Sequence, residues 1–322
     1  MSPSRLPKTN EQYAIKAKNI RSQAAKSYGY TSPDTVPPLT LVEHLISRKT
    51  SMSKNTWWQY KSALRHHFET ILETTIDGTV AEETRAAIEM LNTEPSTGSL
   101  KYGSQTSALK QKGIKLADYK KLMDYLNENI GVHRYANALK TWLQASKITG
   151  LRPSEWENAS LLDLAGHRVL VVKNAKATNG RAHGEERTLV LDDLSASEME
   201  KIDDMLQMIE GYGGEMDFER FQKRMKDYMT YATRHCYGNR KKYPTLYSFR
   251  HQFSADAKLS GLSKQEIAAL MGHGSDETAG THYARKISGN SVVKISPVGS
   301  EVKRVRERAR KFIPRANQTD QG

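Results

Sequence analysis

The chain has 322 residues, with 49 Lys and Arg against 36 Asp and Glu and a formal net charge of +13. Its single cysteine, Cys236, excludes an intrachain disulfide framework and a cysteine-built zinc site, and no apolar run reaches the ~20 residues that span a bilayer. We expect a cytoplasmic protein of two domains, with no membrane partner and a basic surface suited to a polyanion such as nucleic acid.

The first third of the chain changes character at residue 39. Residues 1–38 are polar and basic, which is typical of an N-terminal arm with weak helix at most. Over residues 39–72 apolar residues recur at spacings of three and four, which predicts amphipathic helices. A further helix is predicted over residues 81–91. Residues 95–106 are rich in Ser, Thr, Gly and Lys and predict the linker between the domains.

Helical periodicity resumes after the linker and is interrupted once. Two short β-rich runs, residues 168–172 and 187–191, are separated by a polar loop and predict a β-hairpin. Residues 301–312 predict a basic helix that leaves the core. The fold class expected is mainly α with a small β-sheet or hairpin. The predicted helices of this part of the chain cover residues 116–126, 135–148, 195–209, 217–233, 249–260 and 264–271.

The sequence lacks the common metal and nucleotide motifs but contains a set of residues suited to phosphodiester chemistry. The sequence has no glycine-rich phosphate loop ending in GKS or GKT, no HExxH and no DxDxDG loop, so no metal or cofactor is expected. It has two arginines in distinctive surroundings, a histidine after a glycine and a tyrosine in the same segment. Breaking a phosphodiester without a metal requires such a set: a nucleophile, cations or donors for the non-bridging oxygens, and an acid for the leaving oxygen.

Two segments resemble the signatures of the tyrosine recombinase (phage integrase) family. TGLRPSE, residues 149–155, resembles the signature that carries the family's first catalytic arginine. LYSFRHQFSADAKLSGLSKQEIAALMGHGSDETAGTHY, residues 246–283, resembles the one that carries its second arginine, its Gly-His and its tyrosine. The resemblance extends loosely to residues 39–72. It implies a helical core-binding domain over residues 39–105, including the linker, and an α/β catalytic domain over residues 106–290.

The resemblance also implies roles for single residues. Arg152 and Arg250 bind the two non-bridging phosphate oxygens, His273 is a further donor and Tyr283 is the nucleophile. Glu155, three residues after Arg152, is placed to orient it. The phenol of a tyrosine has a pKa of about 10. The arginines must therefore stabilise its oxyanion as it forms.

The sequence departs from the family pattern at one catalytic position. The family has His or Lys three residues before the second arginine, and this chain has Tyr247. A phenol donates a hydrogen bond but carries no charge, which predicts a slower reaction. His251 is an alternative donor, and Tyr247 is a minority candidate for the nucleophile.

The general acid of the family is a lysine of the β-hairpin. Lys176 precedes the polar tip of the predicted hairpin and is our preferred candidate. Lys173 lies nearer the strand and is the competitor.

Basic residues on both predicted domains are candidates for contacts with DNA. In the helix that holds Trp57, phosphate contacts are predicted for Lys54, Lys61 and Arg65, and a base-edge contact for Gln59. The alternative is a solvated basic face. The run RHCYGNRKK, with Arg240 and Lys241, is a further candidate phosphate track.

The family resemblance implies the partners and three competing functions. The partners are a specific site in double-stranded DNA, a homotetramer on that DNA and an accessory DNA-bending or directionality protein. The basic tail, residues 291–322, is either a helix that docks on a neighbouring protomer or a disordered segment. The leading hypothesis is a site-specific recombinase of a mobile element such as a phage or transposon, for integration or for cointegrate or dimer resolution. The alternatives are a catalytically inactive DNA-binding relative and a topoisomerase-like nicking enzyme.

Overall fold

A computed structural model describes residues 7–98, 111–175, 177, 182–277 and 286–307 of the chain. The chain divides into two units, residues 1–105 and residues 106–322. Part of the predicted linker, residues 99–106, lies outside the described residues. Within the described parts of the chain, no helix is both long and apolar enough to cross a membrane.

The first unit is a helical bundle built around one apolar core. Its helices are α1 (Pro7–Tyr28), α2 (Pro38–Ser47), α3 (Lys54–Thr74) and α4 (Gly78–Thr93). Side-chain caps begin the last two: Ser53 accepts the backbone N–H of Thr56, and Asp77 accepts that of Thr79. The buried core includes Leu41, Leu45, Trp57, Leu64, Phe68 and Leu91.

Helix α1 corrects the expectation of a polar arm. It is a 22-residue helix that packs along α3 and buries Ala17, Ile20, Ala24 and Ala25. These four residues share one face of the helix, at positions i, i+3, i+7 and i+8. Alanine buries little area, so an alanine stripe gives a weak hydrophobic signal in an otherwise polar sequence. Residues 7–28 therefore belong to the first unit.

The second unit is mainly α with one small antiparallel sheet, as the sequence predicts. Its first helices are α5 (Leu116–Glu128) and α6 (Ala136–Thr149), followed by a short 3-10 helix (Pro153–Asn158). The sheet has the order β1 (Ala159–Leu164), β2 (His167–Lys173), β3 (Glu186–Val190) and β4 (Ser296–Pro297). Then come α7 (Ala196–Gly213), α8 (Phe218–Tyr237), α9 (Leu246–Leu259), α10 (Lys264–Leu270) and α11 (Gly299–Arg304).

The core of the second unit places α6 and α9 side by side. Trp142 of α6 packs against Phe218 and Phe221 of α8, and Phe249 and Phe253 of α9 are fully buried. The sheet lies against this core through Leu170, Val172 and Leu189. Several elements meet at the start of α9 and at the 3-10 helix. They are the C-terminal ends of α6, β2 and α10 and the N-terminal end of β3.

The described part of the basic tail packs on its own chain. Glu301 of α11 is buried and accepts the backbone N–H of Thr188 at 2.9 Å, and β4 pairs with β3. Val305 packs against Ala268 and Ala269. The expectation that this helix leaves the core is therefore wrong for residues up to 307. Residues 308–322 lie outside the described part of the chain.

Candidate active site

The TGLRPSE turn folds so that its arginine meets its own glutamate. Gly150 ends α6 with φ +66°, and a Cβ there would lie 2.3 Å from the ring of Phe253, so only glycine fits. The backbone N–H of Arg152 donates to Glu155 Oε2 at 2.7 Å, and the guanidinium pairs with Glu155 Oε1. Glu155 does orient Arg152, as the sequence predicts.

Glu155 is the hub of a larger cluster. Its side chain is fully buried, and Oε2 accepts from Arg187 Nη2 at 2.8 Å and from Arg250 Nη1 at 3.5 Å. The backbone N–H of Ala175, just after β2, lies 3.4 Å from Oε1. Two guanidinium groups distant along the sequence, those of Arg152 and Arg250, thus share one carboxylate.

Arg250 is fully buried within the second turn of α9. Its Nη1 donates to the carbonyl of Gly150 at 2.7 Å, and its Nη2 donates to the carbonyl of Met271. The same Nη2 lies 3.2 Å from Nε2 of His273. Since arginine only donates, Nε2 accepts and the imidazole proton resides on Nδ1. The structure thus brings His273 to the second arginine.

Arg187 is a cluster member that the sequence reasoning missed. It projects from β3 into the core, where Nε donates to the carbonyl of Leu270 at 2.8 Å and Nη1 donates to Asn174 Oδ1. A signal was available. Residues 187, 189 and 191 share one face of a strand. Because the other two are leucines, that face is expected to be buried, and Arg187 is expected to point inward with them.

Gly272 lets α10 approach the cluster. Its φ is +62°, and a Cβ there would lie 2.1 Å from Asn174 Oδ1 and 2.8 Å from Arg187 Nη1. Any side chain would displace the polar network. The Gly-His pair of the motif therefore consists of a glycine that permits close packing and a histidine that the packing delivers.

Burial and charge set the protonation states of the cluster. Burial alone would raise the pKa of the Glu155 carboxyl, but the charges of Arg187, Arg250 and Arg152 hold it far below its ordinary value. Burial and the same three arginines lower the pKa of His273 far below its ordinary value, so the imidazole is neutral. Three cations facing one carboxylate leave a net charge of +2 at a nearly dry site, which favours an anion.

The two aromatic candidates of α9, Tyr247 and His251, contact each other. The rings of Tyr247 and His251 meet edge to face, with centroids 5.2 Å apart. Tyr247 is half-buried and lines, with Pro153, a cavity of about 930 Å³. Burial, assisted by the charges of Lys112, Arg250 and Lys258, lowers the pKa of His251 to about 4. His251 is therefore a neutral group at pH 7.

Tyr283 and Lys176, the predicted nucleophile and general acid, both lie outside the described residues. Lys173 is exposed, whereas the neighbouring Val172 and Asn174 are buried. Because successive side chains of a strand alternate in direction, Lys173 points away from the side on which Asn174 meets Arg187.

The predicted DNA contacts divide into available and engaged side chains. Lys54, Gln59 and Lys241 are exposed. Arg65 pairs with Glu69 at 3.0 Å, and Arg240 makes a bidentate pair with Asp118 at 2.8 and 3.1 Å.

Lys61 requires a correction. Its Nζ turns inward and donates to the backbone carbonyls of Asn92 at 3.4 Å and Glu94 at 2.9 Å, at the C-terminal end of α4. A cation there satisfies carbonyl groups that the helix leaves without partners. Lys61 is thus a helix-capping residue and not an exposed phosphate contact.

Within the described ranges, no group of three or more His, Cys, Asp or Glu side chains could hold a metal ion.

Comparison with known proteins places this geometry in a family. The sequence model of the phage integrase family matches residues 112–288, more than half of the chain and the whole of the cluster. No curated protein matches the sequence.

Among the solved structures that share the fold are two of lambda integrase. One is a lambda integrase tetramer bound to a Holliday junction, with 17% identity and a TM-score of 0.52, covering 90% of this chain and 75% of that chain. The other is a lambda integrase dimer bound to a COC' core site, with 16% identity and a TM-score of 0.51, covering 87% of this chain and 90% of that chain. From the matched residues and the fold, the chain belongs to the phage integrase family of tyrosine recombinases.

Proposed function

We propose that this protein is an active site-specific DNA recombinase that cuts one strand at a time and stores the bond as a 3'-phosphotyrosine on Tyr283. The observation that carries the proposal is the cluster of Arg152, Arg187 and Arg250 around the single carboxylate of Glu155. A phosphodiester carries one negative charge, and its five-coordinate transition state carries two. The excess of +2 in the cluster matches the transition state better than the substrate, which is the condition for catalysis.

The hydrogen-bond lengths indicate how Arg250 would receive a phosphate. Its contacts to Glu155, at 3.5 Å, and to His273, at 3.2 Å, are the longest of those measured for its two terminal nitrogens. The N–H groups that make these two long contacts would most readily donate to a non-bridging phosphate oxygen instead. Arg152, whose Nε has no hydrogen-bond partner among the described residues, would bind the other oxygen.

In the proposed reaction, Tyr283 Oη bonds to phosphorus as the bond from phosphorus to the 5'-oxygen breaks. The phenolic proton is released, and a lysine of the hairpin supplies a proton to the leaving 5'-oxygen. Lys176 has this role rather than Lys173, since Lys173 points away from the cluster. Attack of a 5'-hydroxyl on the phosphotyrosine reverses these steps and rejoins a strand without an external energy source.

The partner of the protein is double-stranded DNA, and the active assembly is a homotetramer. The likeness in fold to a lambda integrase dimer bound to a core site and a lambda integrase tetramer bound to a Holliday junction supports both statements. Exposed cations on each unit, Lys54 and Lys241, support contacts with phosphates. We place the reaction in a mobile element, for integration or resolution, with the protein acting in the cytoplasm and an accessory DNA-bending or directionality protein as a further partner.

One observation favours a second function. Tyr247 stands where the family has His or Lys, and its phenol is neutral at the position of a catalytic cation. A relative that has lost catalysis and only binds DNA would tolerate this change.

A covalent adduct separates these functions. A duplex selected by the protein from a random-sequence pool would be synthesised with a nick beside the cleavage position, so that the cut fragment diffuses away. Wild-type protein is expected to form an adduct that resists SDS, with the label on Tyr283 by peptide mass mapping, and Tyr283→Phe should bind without forming it. Binding of the duplex by wild type with no adduct would support the inactive relative. Relaxation of supercoiled DNA without recombinant products would support a topoisomerase-like enzyme.

A further inference from the structure

Arg187 contacts three separate parts of the second unit from one buried position on β3. Its Nε donates to the carbonyl of Leu270 at the end of α10, its Nη1 to Asn174 after β2, and its Nη2 to Glu155 of the 3-10 helix at 2.8 Å. We propose that Arg187 is a positioning residue for strand cleavage, which acts by fixing the carboxylate of Glu155 and, through it, the guanidinium of Arg152. This inference rests on the proposed function.

The geometry of the carboxylate supports the role. Oε1 of Glu155 pairs with the guanidinium of Arg152, so the orientation of that guanidinium depends on the plane of the carboxylate. That plane is set by the contacts to Oε2, where Arg187 provides the shortest side-chain contact, 2.8 Å against 3.5 Å for Arg250. The planar guanidinium of Arg187 is itself held at its other nitrogens, which leaves the carboxylate little freedom.

The same network reaches the chain just before Lys176. Asn174 accepts from Arg187, and the backbone N–H of Ala175 lies 3.4 Å from Glu155 Oε1. These are the two residues that precede Lys176 in the sequence. Arg187 therefore ties the turn of the first arginine to the start of the segment that carries the proposed general acid.

The cost of burying Arg187 argues for a role beyond packing. Its side chain has no exposed surface, and it occupies an inward position of a strand whose next inward residue is Leu189. Burial lowers the pKa of the Arg187 guanidinium, against the charge of Glu155. An apolar side chain at such a position commonly gives equal or greater stability than a buried ion pair. A charge retained there fits a requirement of the site.

The test uses Arg187→Met, Arg187→Lys and Glu155→Gln with the selected duplex described above. For Arg187→Met we expect single-turnover adduct formation at saturating protein to slow by about 100-fold, with the dissociation constant for the duplex changed by no more than about threefold. Arg187→Lys should be intermediate, because one ammonium cannot reach all three acceptors. Leu126→Ala, a core variant on α5, serves as the matched control for lost stability and should cleave at the wild-type rate below its unfolding temperature.

Two readouts distinguish positioning from a structural role. Adduct formation by the double variant Arg187→Met/Glu155→Gln should be no slower than by Glu155→Gln alone, since both act through one carboxylate. In Arg187→Met, Glu155 stays buried and loses its largest counter-charge, with Arg152 and Arg250 as the remaining cations around it and His273 neutral. Its pKa should therefore rise, which gives cleavage by Arg187→Met an acidic limb at a pH where the wild-type rate is still unaffected.

If wild type forms the adduct and both Arg187→Met and Arg187→Lys form it at the wild-type rate, the role of Arg187 is overturned and the proposed function stands. The role is also overturned if Arg187→Met is slower, its loss adds to that of Glu155→Gln in the double variant, and its cleavage shows no acidic limb. Should Arg187→Met fail to fold, Arg187→Lys supplies the same comparison. Binding of the duplex by wild type without any adduct would overturn both proposals.

Discussion

At the scale of single residues, the site depends on buried charges that are in direct contact with one another. Arg250 and Arg187 have no exposed surface, and Glu155 and His273 have almost none. Such groups persist in a fold only when hydrogen bonds satisfy them, and here backbone carbonyls of Gly150, Leu270 and Met271 accept from the guanidiniums. The backbone around the cluster is therefore as much part of the site as its side chains.

Gly272→Ala tests the close approach of α10 to the cluster. Gly272 and Gly166 both have positive φ, but a Cβ at Gly272 would meet Asn174 and Arg187, whereas one at Gly166 would meet nothing within 4 Å. We expect Gly272→Ala to lower the free energy of unfolding by roughly 1–3 kcal/mol more than Gly166→Ala does, because only the first adds overpacking to backbone strain. Chemical denaturation of the two variants measures the difference. Equal losses would show that the cluster tolerates a methyl group there.

His251 should make stability depend on pH. Its pKa is about 4 in the folded protein and near 6.5 in the unfolded chain, so between these values the unfolded chain binds more protons. Stability therefore falls as the pH is lowered through this window. His273 contributes in the same direction. We expect His251→Gln to show a smaller drop in thermal midpoint between pH 7 and about pH 4.5 than wild type.

The control for this measurement is His235→Gln at an exposed position, which should show the same drop in thermal midpoint as wild type. A wild-type drop in His251→Gln would mean that the imidazole of His251 is protonated in the folded state.

The residues of the site were predictable where a motif or a spacing marked them. Arg152, Glu155, Arg250 and His273 stand in recognisable segments, and the structure gathers all four. Arg187 stands in ERTLV, where strand alternation indicates an inward side chain, but only the three-dimensional packing shows which groups its charge meets. Lys61 looked like its neighbours Lys54 and Arg65, yet the end of α4 turns it inward.

At the scale of secondary-structure elements, helix ends decide what nearby cations do. Lys61 donates to two carbonyls at the end of α4, and Lys49 pairs with Glu94 beside them. We expect Lys61→Met to lower the free energy of unfolding by roughly 1–2 kcal/mol, since the carbonyls of Asn92 and Glu94 lose a charged donor. Lys54→Met, at an exposed position of the same helix, should leave stability unchanged.

Denaturant titration of both variants measures this contrast. A Lys61→Met protein as stable as wild type but weaker in DNA binding would return Lys61 to the predicted phosphate contacts.

Elements were predictable in proportion to the apolar area that each one buries. The helices with large apolar residues, such as α3 and α6, agree with the periodicity of the sequence. Helix α1 buries mainly alanines, and β4 consists of two residues that pair only because β3 presents an edge. The tail helix was expected to leave the core because its sequence is basic, but Glu301 and Val305 anchor it. Such anchors depend on partners far away in the sequence.

At the scale of the whole molecule, the net charge of +13 should appear in the thermodynamics of DNA binding. Each phosphate contact releases counterions, so the logarithm of the association constant should fall linearly with the logarithm of the salt concentration, with a slope of about −5 to −10. Lys54→Met should reduce the steepness of that slope by about one unit, while Lys61→Met should not change it. Fluorescence anisotropy at several salt concentrations measures the slopes. A slope near zero would contradict an interface dominated by contacts with DNA phosphates.

Whether Arg152 and Arg250 act on one phosphate is tested by a crystal structure of Tyr283→Phe bound to the selected duplex. We expect both guanidiniums to donate to the non-bridging oxygens of a single phosphate at about 2.7–2.9 Å, with the ring of residue 283 beside the same phosphorus. A complex in which the two arginines contact different phosphates, or stay bonded only to Glu155 and the backbone while DNA binds elsewhere, would contradict it.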